Sequence, residues 1–372
     1  MQQGSRHRYS LAHGLAFAML AAMAGTWANA QSKSNDLIFA AAQGDLPAVN
    51  ALLNAGTDVN DARETNIGSS TALMEASSNG HLEIVRALLA AGAQVNAIRG
   101  SKAKGERVCD TALALASRNS HLPVVQALLA AKADVDAGLV SALYCATAAG
   151  NLDIIKLLLA TKPKLDWQDP LGGSTALMLA LAPNEAVLRI QLPSAGRWDI
   201  AQLLIDAGAN VNVTDKGGVT ALKLVVQENS PRNLAMVRSL LAAHADVNGG
   251  CVCKTTALLP LGSGLHMSAS GQTALGLASA LGSVEVVQAL LDANAQRAAH
   301  PSVAVDAKQS GGNTPLTLAA AKGRADIVRL LLAAKADASV ANNDGKTALL
   351  LALENNQQEV AELLRNAVTG QK

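Results

Sequence analysis

Two sets of side chains have the types and spacing to do chemistry. His81 stands two residues before Glu83, and an imidazole beside a carboxylate is an acid/base pair. Cys251, Cys253 and His266 share one glycine-rich stretch, and two thiolates with an imidazole are soft ligands for copper or zinc. Repetition answers the first set. The stretch GHLEIVRALLAAGAQVN from Gly80 recurs as SHLPVVQALLAAKADVD from Ser120, GNLDIIKLLLATKPKLD from Gly150 and GRADIVRLLLAAKADAS from Gly323. His81 and His121 become Asn151 and Arg324 in this series. A reaction centre is needed once, whereas a repeated frame with a variable polar slot is scaffold. His81 is therefore read as a helix-terminus residue. The cysteine set does not match the common structural-zinc spacings; it stands as a metal-handling or redox alternative, and no cofactor is assigned. No G-x-S-x-G, phosphate-loop or H-E-x-x-H motif occurs, so no enzyme activity is expected.

The elements that position these residues form a series. Nine units open at Asn35, Thr71, Thr111, Ser141, Thr175, Thr220, Thr273, Thr314 and Thr347. Most begin with a hydroxyl, a small residue and Leu. The hydroxyl suits a helix N-cap, and Pro315 suits the first helical position. A short helix follows, then a second with apolar residues at helical spacing, as at Leu82, Val85, Leu88 and Leu89. Gly56, Gly92 and Gly208 sit where a left-handed cap ends that helix; Lys132, His244 and Lys335 fill the same slot at a small cost. Polar turns such as NVTDKGGVT (212–220) and VANNDGKT (340–347) carry tight-hairpin chemistry.

This pattern resembles the ankyrin repeat over 35–367, with the family's T-P-L-H-x-A met as T-A-L-x-x-A in most units and as T-P-L at Thr314–Leu316. The family's His is replaced throughout, by Met74, Ala114, Tyr144, Met178, Lys223, Gly276, Thr317 and Leu350. The resemblance implies an all-α ankyrin-repeat solenoid of about nine helix–turn–helix units with hairpin or loop connections, of an exported, periplasmic-type bacterial kind. It also implies a non-catalytic module, expected to bind another protein through its concave face and long finger loops. A unit of this size cannot hold its shape alone, so the units must stack and the two ends should be polar on their free sides. Gln357, Gln358, Glu359, Glu362 and Arg365 supply this in the last unit; Gln43, Asp45, Asn50 and Asn54 do so, more weakly, in the first.

Composition narrows the rest. Only 2% of residues are aromatic, against a β-sandwich or barrel. Arg6 and Arg8, the apolar run LAHGLAFAMLAAMAG and the A-x-A at Ala28–Ala30 have the layout of a secretory signal peptide, with cleavage expected after Ala30. That places the mature chain in the periplasm or outside the cell, with 31–34 a short linker, 368–372 a tail and no membrane insertion after cleavage. The formal charge of +1 provides no field for nucleic acid, and none is expected as a partner. An oxidising compartment permits disulfides. Cys109 and Cys145 fall in adjacent units, about 10 Å apart by helix spacing, so a bridge between them is open, as is a local one between Cys251 and Cys253.

Function on a repeat scaffold sits in its departures from the frame. The connections 97–110 and 249–272 are long, and 183–196 separates the two helices of the fifth unit. The first holds RGSKAKGER. The expected partner-binding residues are Arg99, Lys102, Lys104 and Arg107 there, with Trp167 and Gln168 in the connection LDWQDPLGG.

Overall fold

The computed structural model describes residues 33–65, 68–99, 110–182, 194–228, 233–249, 272–295 and 304–370. Lys102, Lys104, Arg107, Cys109, Cys251, Cys253, His266 and the signal segment lie outside them, as do nearly all of 183–196 and 249–270. The described residues carry α1 (33–43), α2 (Leu46–Asn54), a hairpin β1 (Ala62–Thr65) and β2 (Gly68–Thr71), then α3 (Ala72–Ser78) and α4 (Leu82–Ala90). The pairs α5 (Ala112–Arg118) and α6 (Leu122–Ala130), α7 (Ala142–Ala149) and α8 (Leu152–Leu159), and α9 (Ala176–Leu181) and α10 (Ser194–Asp206) follow. The series closes with α11 (Ala221–Glu228), α12 (Asn233–Ala242), α13 (Ala274–Leu281), α14 (Val284–Ala295), α15 (Pro315–Ala321), α16 (Ala325–Ala333), α17 (Ala348–Glu354) and α18 (Gln358–Gly370). This is the expected all-α series of helical hairpins.

The chain divides into two compact units, Met1–Ala146 and Thr147–Lys372. Within the first, α3 packs on α5, α2 on α4, and α4 on α6. Within the second, the first helices α9, α11, α13, α15 and α17 stack in one row, and α8, α10, α12, α14, α16 and α18 in another. Each row buries one stripe. Ile84, Val85 and Leu88 of α4 have their counterparts in Ile327, Val328 and Leu331 of α16, all buried. Opposite stripes face water, which is why a 3.6-residue period was readable in every second helix.

The capping chemistry is as expected. Thr71, Thr111, Thr175, Thr273 and Thr314 each accept the amide three residues on, at 3.0–3.3 Å. Thr317 Oγ1 answers with a 2.8 Å bond from the Thr314 amide, closing a capping box behind Pro315. Lys132, His244 and Lys335 do adopt φ of 65–67°, the strained replacement for glycine.

Two features differ from the expectation. Of the connections, the one between the first two repeats forms a paired hairpin among the described residues, with Arg63 opposite Ser70. Among the described residues, other connections close by tight turns without an assigned strand pair, such as Gly218 N–H to Asp215 O and Gly345 N–H to Asn342 O, each 3.0 Å. The ends also depart from a polar cap. Helix α18 turns Glu359, Glu362 and Arg365 outward, but Leu350 and Leu353 of α17 and Phe39 of α1 are exposed as well.

Gly276 shows how the missing His is accommodated. A Cβ there would lie 1.8 Å from Gln309 Nε2, so the buried Gln309 amide occupies the vacated space. Gly to Ala in a helix normally stabilises by about 1 kcal/mol. Here Gly276→Ala is expected to destabilise by about 1–2 kcal/mol through overpacking. Adding Gln309→Ala should restore the helical gain in a urea melt.

Candidate functional site: the inter-repeat struts and fingers

His81 proves to be architectural, in a sharper sense than a terminus. It begins α4 without capping it. Its Nε2–H instead reaches the Ala42 carbonyl of the preceding repeat at 3.1 Å, and His121 reaches Ser78 at 3.0 Å. Arg324 does the same with Nη2 donating to Leu281 at 3.3 Å. Gly80 has φ of 80°, and a Cβ there would meet the His121 ring at 2.5 Å. Glycine there supplies the turn and the room for the strut. No acid/base pair results, since Glu83 binds Arg86 at 2.9 Å.

A second set of ties runs between the connections. The Asn of each D-V-N-like segment accepts an amide of the next repeat: Asn60 from Gln94 at 2.7 Å, Asn96 from Asp134 at 2.8 Å and Asn212 from Asp246 at 2.6 Å. The repetition of that Asn was the signal for them in the sequence.

In the first unit, a buried ionic cluster shapes two fingers. Arg99 was expected on the surface; it is instead buried. Its Nη2 donates to Ser70 Oγ at 2.9 Å and meets Glu75 Oε1 at 3.2 Å, while its amide donates to Asp110 O at 2.7 Å. Ser70 Oγ also donates to Glu75 at 2.5 Å. The guanidinium is drawn in because two carboxylates await it. Burial pushes the Asp110 carboxyl above its ordinary range, opposed by the Leu139 amide bonded to Oδ2 at 2.7 Å and by the Arg99 charge. Asp110 thus holds two fingers at once, through its carbonyl on Arg99 and its carboxylate on Leu139. The neighbours it fixes are apolar and outward: Ile98 is 55% exposed and Leu139 58%. Neither stood out in the sequence, because a lone Ile or Leu in a polar connection has no periodicity to betray its direction.

In the second unit, Trp167 is half-buried and Gln168 exposed. Gln168 is not free to contact a ligand with its amide protons: Nε2 donates to Gly173 O at 2.7 Å and to Thr214 O at 2.9 Å. Lys216 adds a bond from its amide to Gly172 O at 2.9 Å and one from Nζ to Pro170 O. These bonds fasten the loop that carries the exposed Leu171 to the next finger. Asp215 anchors that finger by accepting the Gly217 and Val219 amides, each at 2.8 Å. Its carboxyl is raised by burial, offset by those two amides and by Lys223.

Elsewhere in that unit, a groove of about 810 Å³ runs along α12, α14 and α16, with Arg238, Glu285, Asp292 and Arg329 on its walls. Arg329 is held between Asp326 and Glu359, each at 2.7 Å. Cys145 is buried and disulfide-bonded. No helix among the described residues is long and apolar enough to cross a membrane.

The repeat geometry has its counterpart in comparisons with known proteins. A family model described as "Ankyrin repeats (3 copies)" matches residues 37–139, 113–190, 143–251, 191–299, 250–342 and 299–371. The chain belongs to the ankyrin-repeat family. Among curated relatives of this family, it is similar to the Mus musculus "Ankyrin repeat and SAM domain-containing protein 6", 32% identical over 106 residues. The match covers 28% of this chain and 10% of that protein. The ankyrin repeats of this chain thus account for α1 to α18 and for the struts between them, and they point to a protein as partner.

Proposed function

We propose that this ankyrin-repeat chain is an exported, non-catalytic scaffold that binds a partner protein through its fingers. The observation that carries the reading is the Asp110 hub. It holds Ile98 and Leu139, two large apolar side chains facing water, on connections cross-tied by hydrogen bonds. Apolar residues on a preorganised frame are what a binding surface needs, since little ordering entropy is lost on contact. Leu171 and the half-buried Trp167 extend the same logic in the second unit, Trp167 as an aromatic anchor. Lys102, Lys104 and Arg107 follow Ile98 in the same connection of the sequence, outside the described residues, and remain part of the proposed binding set.

Export rests on the signal-like first thirty residues and is supported by the disulfide at Cys145, which an oxidising compartment sustains. Cys109, in the connection before α5, is the proposed partner of Cys145. Mass spectrometry of the protein from its native host should find Gln31 as the first residue; an intact Met1 in the cytoplasmic fraction would remove the export reading.

The binding test is a double substitution, Ile98→Asp with Leu139→Asp. Both sites are exposed, so unfolding should move by no more than about 0.5 kcal/mol per site. A partner captured from the native compartment by the wild type should be lost at least tenfold by the variant. Capture at wild-type levels would place the interface elsewhere.

A further inference from the structure

Both ends of the repeat series carry apolar side chains at positions that are buried elsewhere. Leu350 is the fourth residue of the last unit's opening T-A-L-x stretch. Its equivalents Met74, Met178 and Lys223 are buried. At the equivalent Gly276, the neighbour is Gln309, from the connection leading into the next repeat. The fourth position therefore faces the repeat that follows. Leu353 lies three residues on, on the same helix face. Its equivalents Ser77, Ser117 and Ser279 are fully buried, yet Leu350 is 47% exposed and Leu353 46%.

The opening end shows the converse. Ala348, second in its unit, is buried although no described repeat follows it, so the second position is covered from the preceding side. Its equivalent in the first unit, Asp36, is exposed. Phe39, three residues on along α1, shares that face and is 59% exposed, whereas its equivalents Leu115, Leu179 and Leu277 are buried.

We propose that a second copy of this chain docks head to tail, its α1 face bearing Phe39 seated on the α17 face bearing Leu350 and Leu353. What Leu350 and Leu353 lack among the described residues is the opening side of an ankyrin repeat, and α1 presents such a side with Phe39 exposed. The contact continues the interface already made by α15 on α17. The fifth repeat places an equally apolar pair, Met178 and Leu181, at these two positions and buries both, so Leu350 and Leu353 present the kind of face that is covered at an internal junction. Because the two faces differ, the interface is heterologous and each docked copy presents a fresh one, giving rings or open chains.

Sedimentation velocity of the purified chain over a concentration series tests this. The average mass of the wild type should rise at least twofold above monomer. Leu350→Glu with Leu353→Glu, and separately Phe39→Glu, should each hold it at monomer. Mixing the two variants should restore association but stop at the dimer, since each keeps one open face. Leu350→Ser with Leu353→Ser, a milder pair that should weaken assembly, keeps the test decisive if the charged pair does not fold. A wild type that stays monomeric throughout overturns the proposal and leaves the faces to a different partner. Assembly of Phe39→Glu as strong as wild type overturns it in favour of tail-to-tail pairing.

Discussion

Arg99→Ala is expected to lower the unfolding free energy of the first unit by about 3 kcal/mol, because it leaves buried carboxylate without its counter-charge. The guanidinium contacts Glu75 and Ser70 and lowers the cost of burying Asp110. Nothing else among these groups is positive. Glu75→Gln removes a charge that is one-quarter exposed (24%), and the amide can still accept from Ser70. Its cost should be smaller, about 1 kcal/mol. Urea unfolding of both variants checks the order. Equal losses, or none for Arg99→Ala, would mean that the cluster is not held by the guanidinium. Since Asp110 positions Leu139, Arg99→Ala should also blunt partner capture, an indirect effect that the exposed double variant avoids.

Lys223→Ala should cost about 3–5 kcal/mol in the second unit. Lys223 is wholly buried, with Nζ donating to Gly218 O at 3.1 Å and Asp215 close enough to feel its charge. The loss should depend on pH, with a definite sign. Asp215 titrates above 3.8 in the folded chain, so the folded state holds more protons than the unfolded one in the window just above that value. Stability from this group is complete below 3.8 and falls as pH rises through the raised value. Removing the Lys223 cation raises the folded value further and widens the window upward. The deficit of Lys223→Ala relative to wild type should therefore be larger at pH 7 than at pH 4. Denaturant unfolding at the two pH values measures it; a deficit independent of pH would assign Lys223 to packing alone.

Much of the fold was legible because it is written several times. Thr at the cap, Leu two residues later and a glycine at the second helix's end recur, and each recurrence has a local cause that needs no tertiary information. His81 was legible as scaffold for the same reason, although its strut to Ala42 was not: the carbonyl it seeks lies 39 residues back. Arg99 was misjudged because a basic residue in a basic connection reads as solvated. Its burial depends on Glu75 and Asp110, distant in sequence and brought together by stacking. Ile98 and Leu139 were hidden by the converse effect, since a lone apolar residue in a polar connection is commonly tucked under. The polar cap expected for the last unit holds for α18 and fails for α17, because two helices share that end and the pattern of one says nothing about the other.

The struts from His81, His121 and Arg324 have a consequence for how such an array grows. Each ends on a carbonyl of the unit before it, and an imidazole or a guanidinium serves equally. A fastener that accepts any donor of sufficient reach does not discriminate between neighbours. Copying a segment of the gene copies both halves of the joint, the hook at one end and the eye at the other. The number of units can then change without any compensating substitution, and the length of the array becomes free to follow the size of whatever it holds.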